Sequence, residues 1–231
     1  MASTPARTLL TGALAALLFA AIHTACFGQA FTASLTGLVS RRRAGRSNGF
    51  FDFNNDGWKD LFTANSHVND RVEHFEAARY RQTNSVFANR GGRFEDVSAP
   101  AGFDAESPRA HRGAGFADFD GDGRIDIVVS ALEDPAELWR NVSPEAGNWV
   151  ILKLIGTRSN RDGIGARVRI GDQHNHMTTS AGYNSSSHFG IHFGLGRASK
   201  AGRIEIVWPS GKVQVLEEVE ANRVVTVREP G

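Results

Sequence analysis

With 231 residues, 41% of them hydrophobic and 22% charged, the chain has room for one large domain or two ordinary ones, and its composition excludes disorder over most of its length. A formal net charge of +1 provides no basic field to steer nucleic acid. Apart from Arg41, Arg42, Arg43 and Arg46 the cations are scattered, so no nucleic-acid partner is expected.

At the amino terminus a lone Arg7 precedes the apolar run TLLTGALAALLFAAIHTA (8 to 25), and small residues surround GQA at 28 to 30. A charged start, an apolar centre and an A-x-A-like end make a secretory signal peptide the expected reading of residues 1–30, with no membrane span in the mature chain. A single membrane anchor, for which about 18 apolar residues just suffice, and a misplaced start ahead of a disordered amino terminus are the competing readings. Cys26 ends this stretch, but His23 fits a lipoprotein signal poorly. As the chain has one cysteine, no internal disulfide can form, and stability must come from the core and from any bound metal.

Next come two copies of one pattern. Residues 49 to 62 read GFFDFNNDGWKDLF and residues 115 to 128 read GFADFDGDGRIDIV, which align without a gap, 66 residues apart. Each holds D-x-[DN]-x-D-G-x-x-D, and repetition in register is the mark of an array. Carboxylates this close repel one another by about 1 kcal/mol per pair even in water, so a cation is expected among them. Side chains at positions one, three and five of a tight loop converge on one point, the glycine at six allows the turn, and a backbone carbonyl at seven adds an oxygen. This is the chemistry of a hard divalent cation, calcium rather than zinc, since sulfur and imidazole take no part. The expected ligands are Asp52, Asn54, Asp56, the Trp58 carbonyl and Asp60 in the first loop. In the second they are Asp118, Asp120, Asp122, the Arg124 carbonyl and Asp126. The second loop should bind more tightly, with four carboxylates against three. An EF-hand would place glutamate at position twelve, where Thr63 and Val129 stand, and would continue into a helix. Here DLFTA and DIVVSA follow, apolar and β-branched, so the loop joins strand to strand.

With Phe53 and Phe119 at position two and a strand after the last aspartate, these loops resemble the calcium loops of FG-GAP/VCBS repeats, the blade motif of integrin-type β-propellers. SVFANRGGRFEDVSAPAGF (85 to 103) is similar to the segment that links such blades. The resemblance implies an all-β, partial β-propeller-like array over residues 31–142 with two calcium loops. Propellers close with typically four to eight blades, and this stretch furnishes about two. Three accounts compete: a fragment of a longer propeller, self-association or a partner at an open sheet edge, and a compact sandwich. Ser40 to Asn48 reads as a basic loop running straight into the first repeat with no earlier strand, which favours truncation of an ancestral propeller.

After Asn141 the acidic loops cease, and Ser143 to Gly147 reads as a linker. The chain then alternates as strands do in WVILKLIG (149 to 156), GARVRIG (165 to 171), RIEIVW (203 to 208), KVQVLEEV (212 to 219) and RVVTVRE (223 to 229), with Pro209-Ser210-Gly211 as a hairpin turn. A small β-sandwich or barrel is expected over residues 147–231. NWVILKLIGTRSNRDGIGARVRI, SAGYNSSSHFGIHFGLG and IEIVWPSG resemble the ASPIC/UnbV domain, which follows such repeats in bacterial envelope proteins and in the animal cartilage acidic proteins. That family implies an extracellular calcium-associated module without an assigned reaction.

Other chemistry has weaker support. His174, His176, His188 and His192 could form an imidazole cluster for zinc or copper, but GDQHNHMTT is rich in turn residues. Ser185, Ser186 and Ser187 beside His188 lack a nucleophile elbow, and neighbours on a strand point to opposite faces. Asn160 and Arg161 before a glycine turn could hold an anionic or sugar group, or simply tie the loop to carbonyls. Asn141 and Asn184 begin glycosylation patterns, which matter only in a eukaryotic protein.

The sequence therefore predicts a secreted or envelope-associated calcium-binding protein, non-catalytic, that binds or adheres to another protein or a polysaccharide. The alternative is an accessory enzyme of secondary metabolism. A convergent set of polar groups between the two domains, with one strongly perturbed titratable residue, would favour the enzyme, and exposed aromatics beside the loops, such as Trp58, would favour binding.

Overall fold

The computed structural model describes residues 43–144, 146–187 and 189–231. The expected signal peptide, Cys26, Arg41, Arg42 and His188 lie outside the described residues. The described chain is all-β, and its helical pieces are two short 3-10 turns, Val72–His74 and Phe103–Ala105. No closed barrel forms among the described strands.

The first sheet is a meander of β1 (Gly45–Phe51), β2 (Asp60–Asn65), β3 (Ser85–Asn89) and β4 (Phe94–Asp96), each antiparallel to the next. The second repeats the plan with β5 (His111–Ala117), β6 (Asp126–Ala131) and β7 (Glu137–Trp139), but has three strands. Register explains where the acidic loops fall. Phe51 pairs with Asp60 and Ala117 with Asp126, so residues 52–59 and 118–125 are the connections of two matching hairpins.

Alternation drives both sheets. In β2, Asp60, Phe62 and Ala64 point inward, and in β6 Ile127 and Val129 join them. Between the sheets, Phe62, Phe103, Phe116, Ile125, Ile127 and Val129 form one core. Phe51 stacks on Phe116 at 3.9 Å, and Phe103 lies against Trp139 at 4.2 Å.

Buried polar groups stitch the same two sheets together. Glu137 of β7 accepts from His111 of β5 at 3.0 Å, from Asn84 at 3.0 Å and from Trp139 at 2.9 Å, and lies 3.3 Å from the Arg109 guanidinium. Burial disfavours the Glu137 charge, but the bonds from His111 and Trp139 and the charges of His111 and Arg109 outweigh it, holding the carboxyl below its usual range.

The remaining strands are β8 (Asn148–Ile155), β9 (Arg167–Ile170), β10 (Gln173–His176), β11 (Ile191–Gly196), β12 (Lys200–Ala201), β13 (Ile204–Val207), β14 (Val213–Leu216), β15 (Val219–Glu220) and β16 (Arg223–Arg228). They form sheets of order β10-β9-β13-β14 and β11-β8-β16 and a small β12-β15 pair. Their core contains Val150, Leu152, Val168, Phe193, Ile204, Ile206 and Trp208. Every strand expected here is present. The Pro209 turn closes as expected, with Gly211 at φ 87° and its N–H bonded to the Trp208 carbonyl.

Three features depart from the sequence reading, the first being that Gly45 to Asn48, read as loop, opens β1 by pairing with β2. The polar run GDQHNH, read as turn, carries strand β10, whose Gln173 and Asn175 donate to the Gly194 and His192 carbonyls of β11. The free edge of β5 is also covered. The Ala114 N–H donates to Ser47 Oγ and the Phe116 N–H to Ser187 Oγ, so hydroxyls stand in for a missing strand.

Candidate metal centre

Each acidic loop is first folded by its own backbone. Asp52 accepts the Asp56 N–H (3.0 Å) and Gly57 N–H (2.8 Å), and Asp118 accepts those of Asp122 (3.0 Å) and Gly123 (2.8 Å). At position five, Asp56 and Asp122 accept the N–H groups of Trp58 and Arg124. Positions four and six require left-handed backbone, found at Asn55 (φ 58°) and Gly57 (φ 95°), and at Gly121 (φ 79°) and Gly123 (φ 83°).

The last aspartate is a staple. Asp60 accepts the N–H groups of Phe53 and Asn89, and Asp126 those of Phe119 and Asn141. Asn89 and Asn141 then return a side-chain bond, to the Lys59 and Ile125 carbonyls. Sequence reasoning missed this pair. Asn89 follows its aspartate by 29 residues and Asn141 by 15, so a fixed register hides the equivalence. The visible signal was an asparagine ending or just following the third strand of each repeat.

The two loops differ in what their carboxylates do. In the second, one oxygen from each of Asp118, Asp120 and Asp126 lies within 4.8 Å of the others. Ligands on opposite sides of a calcium ion stand about 5 Å apart, so this donor set fits a hard cation. Asp122 is not gathered with them. It pairs with the Arg124 guanidinium, and Arg140 bridges Asp120 at 2.6 Å and Asp122 at 3.9 Å. Burial works against the Asp120 charge, and the Arg140 hydrogen bond and charge outweigh it, keeping that carboxyl below its usual range.

In the first loop Asp52, Asn55 and Asp60 are buried, and Asp56 is turned to the Asn54 amide at 3.0 Å. Burial pushes Asp52 up to about 7, against the nearby Lys59 charge and the Gly57 N–H. It pushes Asp60 up to about 6, against the Asn89 and Phe53 N–H groups. Burial likewise pulls the Lys59 ammonium below its usual range, and its Nζ rests on the His192 carbonyl at 3.3 Å. Among the described residues, three acidic ligand groups gather in this way in the second loop alone. The first offers oxygens of the right kind in a looser arrangement.

The other sequence candidates are placed elsewhere. His174 is exposed on β10, whereas His192 is buried and donates Nε2–H to the Gly123 carbonyl at 3.2 Å. Burial and the Lys59 charge pull His192 down to about 3, so its imidazole is neutral. Ser185 donates to the Tyr183 carbonyl and Ser187 accepts from Phe116, which leaves neither arranged as a nucleophile. Asn160 closes its own loop on Ile164, and Arg161 pairs with Asp162 at the surface.

An anion is held nearby, but it is the chain's own. Glu229 accepts the N–H groups of Thr157, Arg158 and Ser159, each at 2.8 Å, and hydroxyls from Ser159 and Ser210. Burial opposes its charge, and these donors outweigh that, holding the carboxyl far below its usual range.

A cleft of about 320 Å³ lies beside the second loop, lined in part by Asn55, Asp122, Arg124 and Trp149. Asn55 Oδ1 is buried without a hydrogen-bond partner. Trp58 and Phe119, on the two loops, are 38% and 54% exposed.

Residues 52–129 match the FG-GAP-like repeat family, and residues 156–231 match the family described as ASPIC and UnbV. Among curated proteins the chain is similar to cartilage acidic protein 1 of Mus musculus and of Xenopus tropicalis, each 31% identical over 140 residues, 55% of this chain. The Homo sapiens protein of that name is 31% identical over 121 residues, 48% of this chain. The chain spans about a fifth of the length of these relatives, 21%, 21% and 18%.

Proposed function

Since the chain joins an FG-GAP-like repeat to an ASPIC/UnbV domain, we propose that it is a calcium-binding recognition protein of the cell exterior or envelope that performs no reaction. One observation carries the calcium part: the convergence of Asp118, Asp120 and Asp126 within 4.8 Å. With them we assign Asp122 and the Arg124 carbonyl to the second loop, and Asp52, Asn54, Asp56, the Trp58 carbonyl and Asp60 to the first. A bound calcium would neutralise the clustered charge and tie the two ends of each loop together. Asp120 would then exchange its Arg140 partner for the ion. The repeat array is assigned to residues 31–142 and the second domain to 147–231.

The exposed rings of Trp58 and Phe119 support binding of a protein or polysaccharide beside the loops. β7 is outermost in its sheet, where the first sheet has β4, and Leu138 on it is 68% exposed. That edge suits a strand from a partner or a second copy. The accessory-enzyme reading needs a reactive group within reach of substrate, whereas the perturbed Asp52, Asp60 and His192 are buried and Lys59 is half-buried against the His192 carbonyl. The relatives' name speaks of cartilage, which supports an exterior location. No helix among the described residues is long and apolar enough to cross a membrane.

Calorimetric titration with calcium tests the reading. The wild-type chain should bind with measurable heat, and Asp118→Asn should lose the tighter site. Absence of heat, together with a melting temperature unmoved by calcium, would overturn it.

A further inference from the structure

We infer that the two acidic loops are also the seat on which β8 and β11 dock, so that cation binding in the second loop and closure of that joint are coupled. The inference rests on the calcium reading above. Gly123 lies at the centre of this joint. It stands between Asp122 and Arg124 of the loop, and its carbonyl accepts from His192 of β11 at 3.2 Å and from Asn55 of the first loop at 3.3 Å. The Trp149 indole of β8 packs against it and leaves no space for a side chain.

The first loop completes the seat. Its Asn54 and Asn55 carbonyls accept the N–H groups of Gly147 and Gly196, both at 2.8 Å, and Asn55 Nδ2 donates to the Gly147 carbonyl at 3.2 Å. Gly194 of β11 packs directly on the Asp52 carboxylate, where a side chain would collide. These contacts are directional, and a shift of about 1 Å in either loop breaks them. Without a cation, Asp118, Asp120 and Asp126 repel one another, held by the loop's N–H groups, the Asn141 N–H and Arg140. Drawing them onto one ion fixes residues 118–126, and with them the Gly123 carbonyl that β11 and the first loop share. Linkage makes the effect reciprocal: whatever loosens the joint must weaken cation binding by the same factor.

Hydrogen exchange on the full chain, with and without calcium, tests this beside calorimetry on the same sample. Calcium should raise protection in 148–152 and 191–196 as well as in 118–126. His192→Ala should bind calcium at least about 5-fold more weakly, the lower range of such couplings. Calcium heat with added protection confined to 118–126 would overturn the coupling and leave the calcium reading intact. So would a folded His192→Ala chain with wild-type affinity. Absence of both heat and added protection would overturn the calcium reading and the coupling together. If His192→Ala fails to fold, the wild-type exchange pattern still decides.

Discussion

Gly123 and Gly121 are both left-handed residues of one loop, yet substitution should affect them unequally. Alanine at either position pays about 1–2 kcal/mol for its backbone. At Gly121 the added methyl meets open space, and at Gly123 it meets Trp149. Overpacking adds about 1–3 kcal/mol more, so Gly123→Ala should lose roughly twice what Gly121→Ala does in urea unfolding. Equal losses would mean that Trp149 is not seated on the loop.

Glu229 gives a pH test. Its folded carboxyl lies below the ordinary value of 4.5, so its contribution is fully present above that pH and fades as pH falls below it. Glu229→Gln should melt lower than the wild type at pH 7, and the gap should narrow at pH 3. A gap unchanged at pH 3 would contradict the role given to the charge. Glu229 itself was not legible in the sequence, because its partners at 157–159 and 210 are brought to it only by the fold.

Among the elements, the hairpins were the most legible. The repeated D-x-[DN]-x-D-G pattern located both loops because backbone and carboxylate needs coincide at each position. Alternation located the strands from 149 onward. It failed at β10, where Gln173 and Asn175 face a neighbouring strand's carbonyls, and periodicity in hydrophobicity carries no trace of that. Among the described residues the second sheet has no fourth strand after β7, where the sequence reads Ser143 to Gly147 as a linker. The asparagine staples have a measurable weight. Asn141→Ala removes bonds to the Phe53 and Ile125 carbonyls and should cost about 1–3 kcal/mol in unfolding experiments, as a buried acceptor left unmet does. A neutral result would show that the staple is carried by the Asp126 bond to the Asn141 backbone alone. In the core, Phe116→Ala should cost about 3–5 kcal/mol, since that ring meets Phe51 and Phe62 at once.

For the whole molecule, the sequence posed an open array of about two blades and left its exposed edge unexplained. The structure covers one such edge with Ser47 and Ser187 and seats β8 and β11 on the loops. This closure could not be read in advance, because it depends on glycines at 123, 147, 194 and 196 closely approached by residues distant in sequence. Under it Asp52 and Asn55 of the first loop are buried, while in the second Asp118 is half-buried and Asp120 exposed. The most direct test is diffraction from crystals grown with calcium, using the ion's anomalous signal. An ion should lie about 2.3–2.6 Å from oxygens of Asp118, Asp120 and Asp126. An ordered second loop with no ion at saturating calcium would contradict the account.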